Sequence, residues 1–154
     1  MYAIILAIHS LVRWFVIAGI IYALYRSYMG WLAGKKYSAF DNRIRHWSAT
    51  LAHIQLVLGL WLYFISPVTN YFLQHFDEAV HQRQLRFFGM EHSVMMLLGI
   101  IVITISSLLA KQQNSDSAKF KVLALGYTFA LLIISSSVPW PFSPLVSRPW
   151  LRQL

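Results

Sequence analysis

Four long apolar runs, separated by short polar stretches, set the pattern of the chain. They cover residues of about 2–25, 47–66, 87–110 and 121–138. A helix needs roughly 20 residues to cross a bilayer core of ~30 Å, and each run approaches or exceeds that length. Pro67 ends the second run, and Pro139 and Pro141 follow the fourth. A helix on the surface of a soluble domain keeps a polar face. Residues 100–105 and 129–134 offer no charged face at all. The pattern therefore predicts an all-α integral membrane four-helix bundle, a single domain over residues 1–154. The proline-rich tail over 139–154 is expected to be irregular or interfacial. There is no internal repeat and no low-complexity tract.

Composition supports this reading. Hydrophobic residues make up 58% and charged residues 12%, against about a quarter charged in an ordinary soluble domain. Mean hydropathy is +0.55. A disordered chain would be polar and charged, and a small soluble domain could not hide so much apolar side chain. With no cysteine, a disulfide framework, a zinc–thiolate site, an iron–sulfur cluster and a cysteine nucleophile are excluded.

Thirteen basic residues against five acidic ones give a net charge of +8. Its distribution speaks for topology. Arg26, Lys35, Lys36, Arg43 and Arg45 lie between the first and second runs, and Lys111, Lys119 and Lys121 between the third and fourth. Arg83, Arg86, Arg148 and Arg152 fall on the other side. Cytoplasmic loops carry the excess of Lys and Arg, so both termini are expected on the outer, periplasmic side of a bacterial inner membrane. No loop is long enough to carry a nucleic-acid-binding patch, and the lipid bilayer is the expected partner of the charge. Trp31, Trp47, Trp140 and Trp150 sit near run ends, where interfacial anchors belong. The first run lacks a basic n-region and a small-residue cleavage site, and it contains His9 and Arg13. It reads as a retained helix, not a signal peptide.

The chemistry lies in the ionisable residues within the runs: His9 and Arg13 in the first, His53 in the second, Glu91 and His92 in the third. Such groups are costly in lipid and should face the bundle with partners. With each run centred on the bilayer and a rise of ~1.5 Å per residue, His9 lies roughly 7 Å and His92 roughly 10 Å outward of the midplane. His53 lies roughly 5 Å inward of it. Two imidazoles level on different helices suit bis-histidine ligation of a haem, because neutral imidazole is an uncharged iron ligand. Arg13, one turn after His9, could hold a haem propionate or a quinone carbonyl, or it could pair with Glu91. The stripe His92, Met96, Gly99, Ile103 and Ser106 shares one face, and Gly99 would let a macrocycle or another helix come close. A second stripe runs through His46, His53, Val57, Leu60 and Phe64. His53 has no level histidine partner for a second haem. His46, His75 and His81 are expected to be solvated.

Rival uses of these residues stay open. The histidines and Arg13 could be interhelical contacts of a non-catalytic subunit packed on a larger membrane complex. Glu91 could donate protons in a small quinone- or porphyrin-handling enzyme or in a proton channel. No P-loop, dinucleotide fingerprint, hydrolase elbow or H-E-x-x-H motif is present.

The segments His-Ser-Leu-Val-Arg-Trp from His9, Ala-His-Ile-Gln-Leu around His53, Phe-Phe-Gly-Met-Glu-His ending at His92, and Pro-Trp-Pro-Phe from Pro139 carry a resemblance. The chain resembles small bacterial four-helix membrane proteins of the b-type cytochrome kind. The resemblance implies haem b and electron exchange with a quinone pool or respiratory partner; the residues read above as cofactor-binding are His9, Arg13, His53 and His92, with His9 and His92 as the axial ligands. The chain departs from the large cytochrome b pattern, in which two helices each carry a pair of histidines several turns apart. A two-haem wire is therefore not expected.

Overall fold

The structure is a computed structural model and describes residues 1–143 and 146–150. Among them there are helices and no strands. Four long helical runs are apolar and long enough to span a membrane: Tyr2–Leu32, Ala39–Ile65, Arg83–Gln112 and Asp116–Ser137. The chain is a multi-pass helical membrane protein. Arg152, counted above among the outer-side cations, and residues 144–145, 151, 153 and 154 of the tail lie outside the described residues.

The helices run beyond the apolar segments. Helix α1 (Tyr2–Leu32) continues a further two turns past Tyr25. Helix α2 (Ala39–Ile65) begins eight residues before Trp47. Its start is fixed by a capping box: the Ser38 hydroxyl accepts from Asp41 N–H, and the Asp41 carboxylate accepts from Ser38 N–H. Such a cap is worth about 1 kcal/mol, and polar residues past an apolar run do not end a helix. Helix α7 (Asp116–Ser137) likewise starts ahead of Lys121, with the Ser115 hydroxyl accepting from Ala118 N–H.

Between α2 and the third span the chain stays helical in short pieces. They are α3 (Pro67–Gln74), which starts on Pro67, α4 (Phe76–Ala79) and α5 (Arg83–Arg86). A wide π-helical turn at Phe87–Glu91 then leads into α6 (His92–Gln112). Such turns shift the side chains that follow them and are frequent at functional sites. Gly89 allows this one, because a Cβ there would overlap the Phe72 ring of α3. Its carbonyl accepts from Tyr63 of α2 at 2.9 Å.

Helix α1 packs on α2 and α7, and α6 packs on the same two. The four spans thus form a ring in the order α1, α2, α6, α7, with α1 and α6 facing across the diagonal. The core contains Ile20, Ala52, Ile103, Tyr127 and Ala130, all buried. Gly99 brings α7 close, since a Cβ there would meet Ile134; the close approach foreseen at Gly99 is that of a helix. The stripe Val57, Leu60, Phe64 of α2 is 48–78% exposed and faces outward. Lipid would cover it.

The end of the bundle that holds the 33–38 turn is polar inside. Arg26 of α1 binds Asp41 through Nε and Nη2 at 2.9 and 2.7 Å. Arg45, counted in the sequence as a loop cation, is only 5% exposed. It donates to Asn42 Oδ1 and to the Ser107 hydroxyl of α6, while the Tyr127 hydroxyl of α7 donates to its carbonyl. These polar contacts tie all four spans together at this end.

Candidate functional site

The opposite half of the bundle is not filled. A cavity of about 200 Å³ lies among α1, α2, α6 and the end of α7, with Val138, Pro139, Arg148 and Pro149 of the tail on its wall. Along α1 its lining runs from Tyr2 to Ile17, about 22 Å of helix axis at 1.5 Å per residue.

His9, Arg13 and His92 all line this cavity. His9 and Arg13 stand on α1 and His92 on α6, across the diagonal. The three groups lie within electrostatic range of one another. The second and fourth helices supply the partners of the rings. His92 Nδ1 lies 2.7 Å from the Ser137 carbonyl. Since a carbonyl only accepts, that nitrogen carries the proton and Nε2 keeps its lone pair. Ligating histidines are commonly oriented in this way. The ring is also flanked by Phe87 and Phe88, with centroids at 5.7 and 6.3 Å.

His9 is held differently. Its carbonyl accepts from Gln55 Nε2 at 2.9 Å. Its ring rests on Gly59 of α2, where a Cβ would stand 3.3 Å from Cε1 and 3.8 Å from Nδ1. Three buried polar atoms here have no hydrogen-bond partner: His9 Nδ1, Arg13 Nε and Gln55 Oε1. A buried polar atom left unsatisfied costs on the order of 1–3 kcal/mol, so native cores seldom keep several together without a ligand or a functional reason. Arg13 Nη2 and Trp14 Nε1 donate to the Trp150 carbonyl at 2.8 and 3.1 Å. Trp14, Trp140 and Trp150 cluster with centroids 5.6–6.1 Å apart. The described residues of the tail, 139–143 and 146–150, hold no helix, and Trp150 meets α1 through Arg13 and Trp14.

Arg13 and Arg148 are the charged residues on the cavity wall, and among the described residues no aspartate or glutamate joins them. The Arg148 guanidinium lies 5.1 Å from the Phe88 ring centroid. The site is thus cationic at one end and otherwise largely apolar, with two imidazoles facing one space. Such a lining suits an anionic group attached to an apolar body. No group of three or more His, Asp or Glu residues gathers among the described residues, so a carboxylate-rich metal cage is not the arrangement.

The other candidate residues lie elsewhere. His53 is exposed on the outer side of α2 and pairs with Thr104 of α6 at 3.0 Å. Thr104 donates its own proton to Ile100 O, so His53 Nε2–H is the donor. His53 is absent from the cavity wall. Glu91 forms an ion pair with Arg86 at 2.6 Å and does not meet Arg13. His46, His75 and His81 are exposed. Sequence reasoning passed over Gln55, Gly59, Ser137 and Arg148. The single signal for the first two was their i, i+4 spacing, which puts a polar and a small residue on the face of α2 opposite the stripe that carries His53 and Val57.

Fold and site together define a multi-pass four-helix membrane protein with an internal, cationic, histidine-lined cavity. No family model, curated protein or solved structure matches the chain.

Proposed function

We propose that the protein binds haem b between His9 and His92 and serves in electron transfer in the membrane, exchanging electrons with the quinone pool. The observation that carries this reading is that two imidazoles, from diagonal helices, line one cavity on which, among the described residues, the charged side chains are Arg13 and Arg148. His92 is already oriented with Nε2 available, as an axial ligand must be. Arg13 and Arg148 supply counter-charge for the carboxylates of an amphipathic macrocycle, and the apolar wall takes its rings. Bound haem would supply one-electron redox chemistry; this chain's residues would set its orientation, solvent access and potential.

Sidedness follows from charge. The turns around residues 33–38 and 113–115 carry the basic excess and would face the cytoplasm, leaving both termini and the cavity on the outer side of a bacterial inner membrane.

The accessory-subunit reading draws support from a different observation. His53–Thr104 and Tyr28–Thr128 are interhelical polar contacts of a kind that simply holds bundles together. That explains His53, and the His92–Ser137 contact is of the same kind; it leaves the unpartnered His9 ring unexplained.

The test is an optical spectrum of the full chain purified in detergent after expression with haem supply. A Soret band, a b-type pyridine haemochrome and a six-coordinate low-spin spectrum are expected. His9→Ala and His92→Ala should each abolish the low-spin species, and His53→Ala should retain it. A folded, haem-free wild-type chain that takes up no added haem refutes the proposal.

A further inference from the structure

We propose that the cavity takes its ligand from the lipid, as a membrane-dissolved ring compound that passes through a window in the seam between α2 and α6. Leu60 and Met96 form the rim of the window, and His53 and Thr104 clasp its inner end. The window serves any occupant of the cavity; that haem is what passes rests on the reading above.

Two rows of side chains flank this seam. His53, Leu56 and Leu60 follow one another at helical spacing on α2, and Thr104, Ile100, Met96 and Ser93 do so on α6. His53 meets Thr104 at 3.0 Å, and further out Tyr63 donates to the Gly89 carbonyl at 2.9 Å. These two ties stand about 15 Å apart along α2 at ~1.5 Å per residue. Between them, among the described residues, no hydrogen bond, ion pair or ring contact crosses the seam. Counted from the His53–Thr104 pair, Leu60 and Met96 reach the same height, roughly 11 Å further out. Of the four seams in the ring, this one is the least closely packed.

Leu56, Leu60, Ser93, Met96 and Ile100 all line the cavity. Leu60 is also 48% exposed, at the edge of the outward stripe of α2. A side chain that touches both spaces marks an opening between them. Pro149 is the other exposed wall residue among those described, but the wall there is tied down. Arg13 and Trp14 both donate to the carbonyl of the adjacent Trp150, and its ring packs on Trp14 and Trp140. At the α2–α6 seam the rim is apolar apart from Ser93, so a molecule dissolved among acyl chains meets little polar barrier, and the unbranched Met96 side chain bends aside readily. A ring compound passes edge-on between two helices. The His53–Thr104 bond below is a single interhelical contact of modest strength, able to part as the seam widens.

The test uses a chain that has no cysteine of its own. Ser10, buried on the cavity wall, becomes the reporter as Ser10→Cys in the full chain in lipid nanodiscs, and labelling is followed by intact mass. Uncharged N-phenylmaleimide should react, and a sulfonated maleimide should not. Leu60→Trp, which fills the window, should slow the uncharged reagent about tenfold or more. Leu60→Ala should speed it, and Thr104→Val, which removes the clasp, should speed it about two- to tenfold. Pro149→Trp should change nothing. Labelling by the sulfonated reagent at a comparable rate, or slowing by Pro149→Trp and not by Leu60→Trp, overturns the proposal. In a chain that takes up haem from phosphatidylcholine liposomes, Leu60→Trp should slow uptake and release alike and leave affinity near wild type; lost affinity with unchanged uptake overturns the window. The expected labelling pattern in a chain that takes up no haem upholds it and sinks the haem reading instead.

Discussion

Gly59→Ala separates the stability of the bundle from the function of its cavity. The new Cβ would stand 3.3 Å from His9 Cε1, inside the ~3.5–4.0 Å of a comfortable carbon–carbon contact. The ring has to give way by a few tenths of an ångström. In the ligand-free protein it can do so, because the cavity lies on its other side. With iron bound to Nε2 it cannot, and the overlap becomes a cost of binding. Overpacking of this kind costs ~1–3 kcal/mol, so haem affinity should fall roughly five- to a hundredfold. Replacing glycine inside a helix acts in the opposite direction on stability, with a gain of up to ~1 kcal/mol. The expected result is a haem-free chain that melts no lower than wild type in the same detergent and a haem titration shifted to weaker binding. Affinity unchanged from wild type, in a protein that does bind haem, would refute the assignment of His9 as the ligand packed on Gly59.

Other consequences lie outside the cavity. Gly89→Ala should destabilise the bundle by ~1–3 kcal/mol through overlap with Phe72, seen as a lowered unfolding midpoint in detergent. Asp41→Asn should cost ~1–2 kcal/mol, because Arg26 loses its ionised acceptor. A double-mutant cycle with Arg26→Gln should return a coupling energy well above zero, and additivity would show that the pair contributes nothing. Burial pushes the Tyr37 phenol above its ordinary value of 10.0, with Arg45 opposing. The folded state then holds this proton more tightly than the unfolded one, so stability declines as pH rises past about 10. Tyr37→Phe should flatten that decline in melts recorded across the alkaline range. In a chain without cysteine, Gln82→Cys should react with a membrane-impermeant maleimide in spheroplasts and Lys35→Cys only after lysis; the reverse pattern would invert the orientation.

Much of the architecture is legible in the residues alone. Four apolar runs of bilayer length have few alternatives, since a helix is the one open segment that satisfies its own backbone in lipid. Counting residues along three rods groups His9 with His92 and sets His53 apart, and the cavity wall holds the first two and not the third. Helix ends are less legible. Arg45 reads as a loop cation because hydropathy drops there, yet the capping box at Ser38 carries α2 through it, and Asn42 and Ser107 bury its guanidinium.

What the sequence determined by itself is the apolar character and the number of the spans, because those follow from transfer energies, which act one segment at a time. Tertiary structure alone decided which faces look inward. Rotation of each helix about its own axis is set by packing against its neighbours, and periodicity is weak in helices apolar all round. Packing turned His53 outward onto Thr104, gave Glu91 to Arg86 instead of Arg13, and set His9 and His92 across a diagonal with Gln55 and Ser137 beside them.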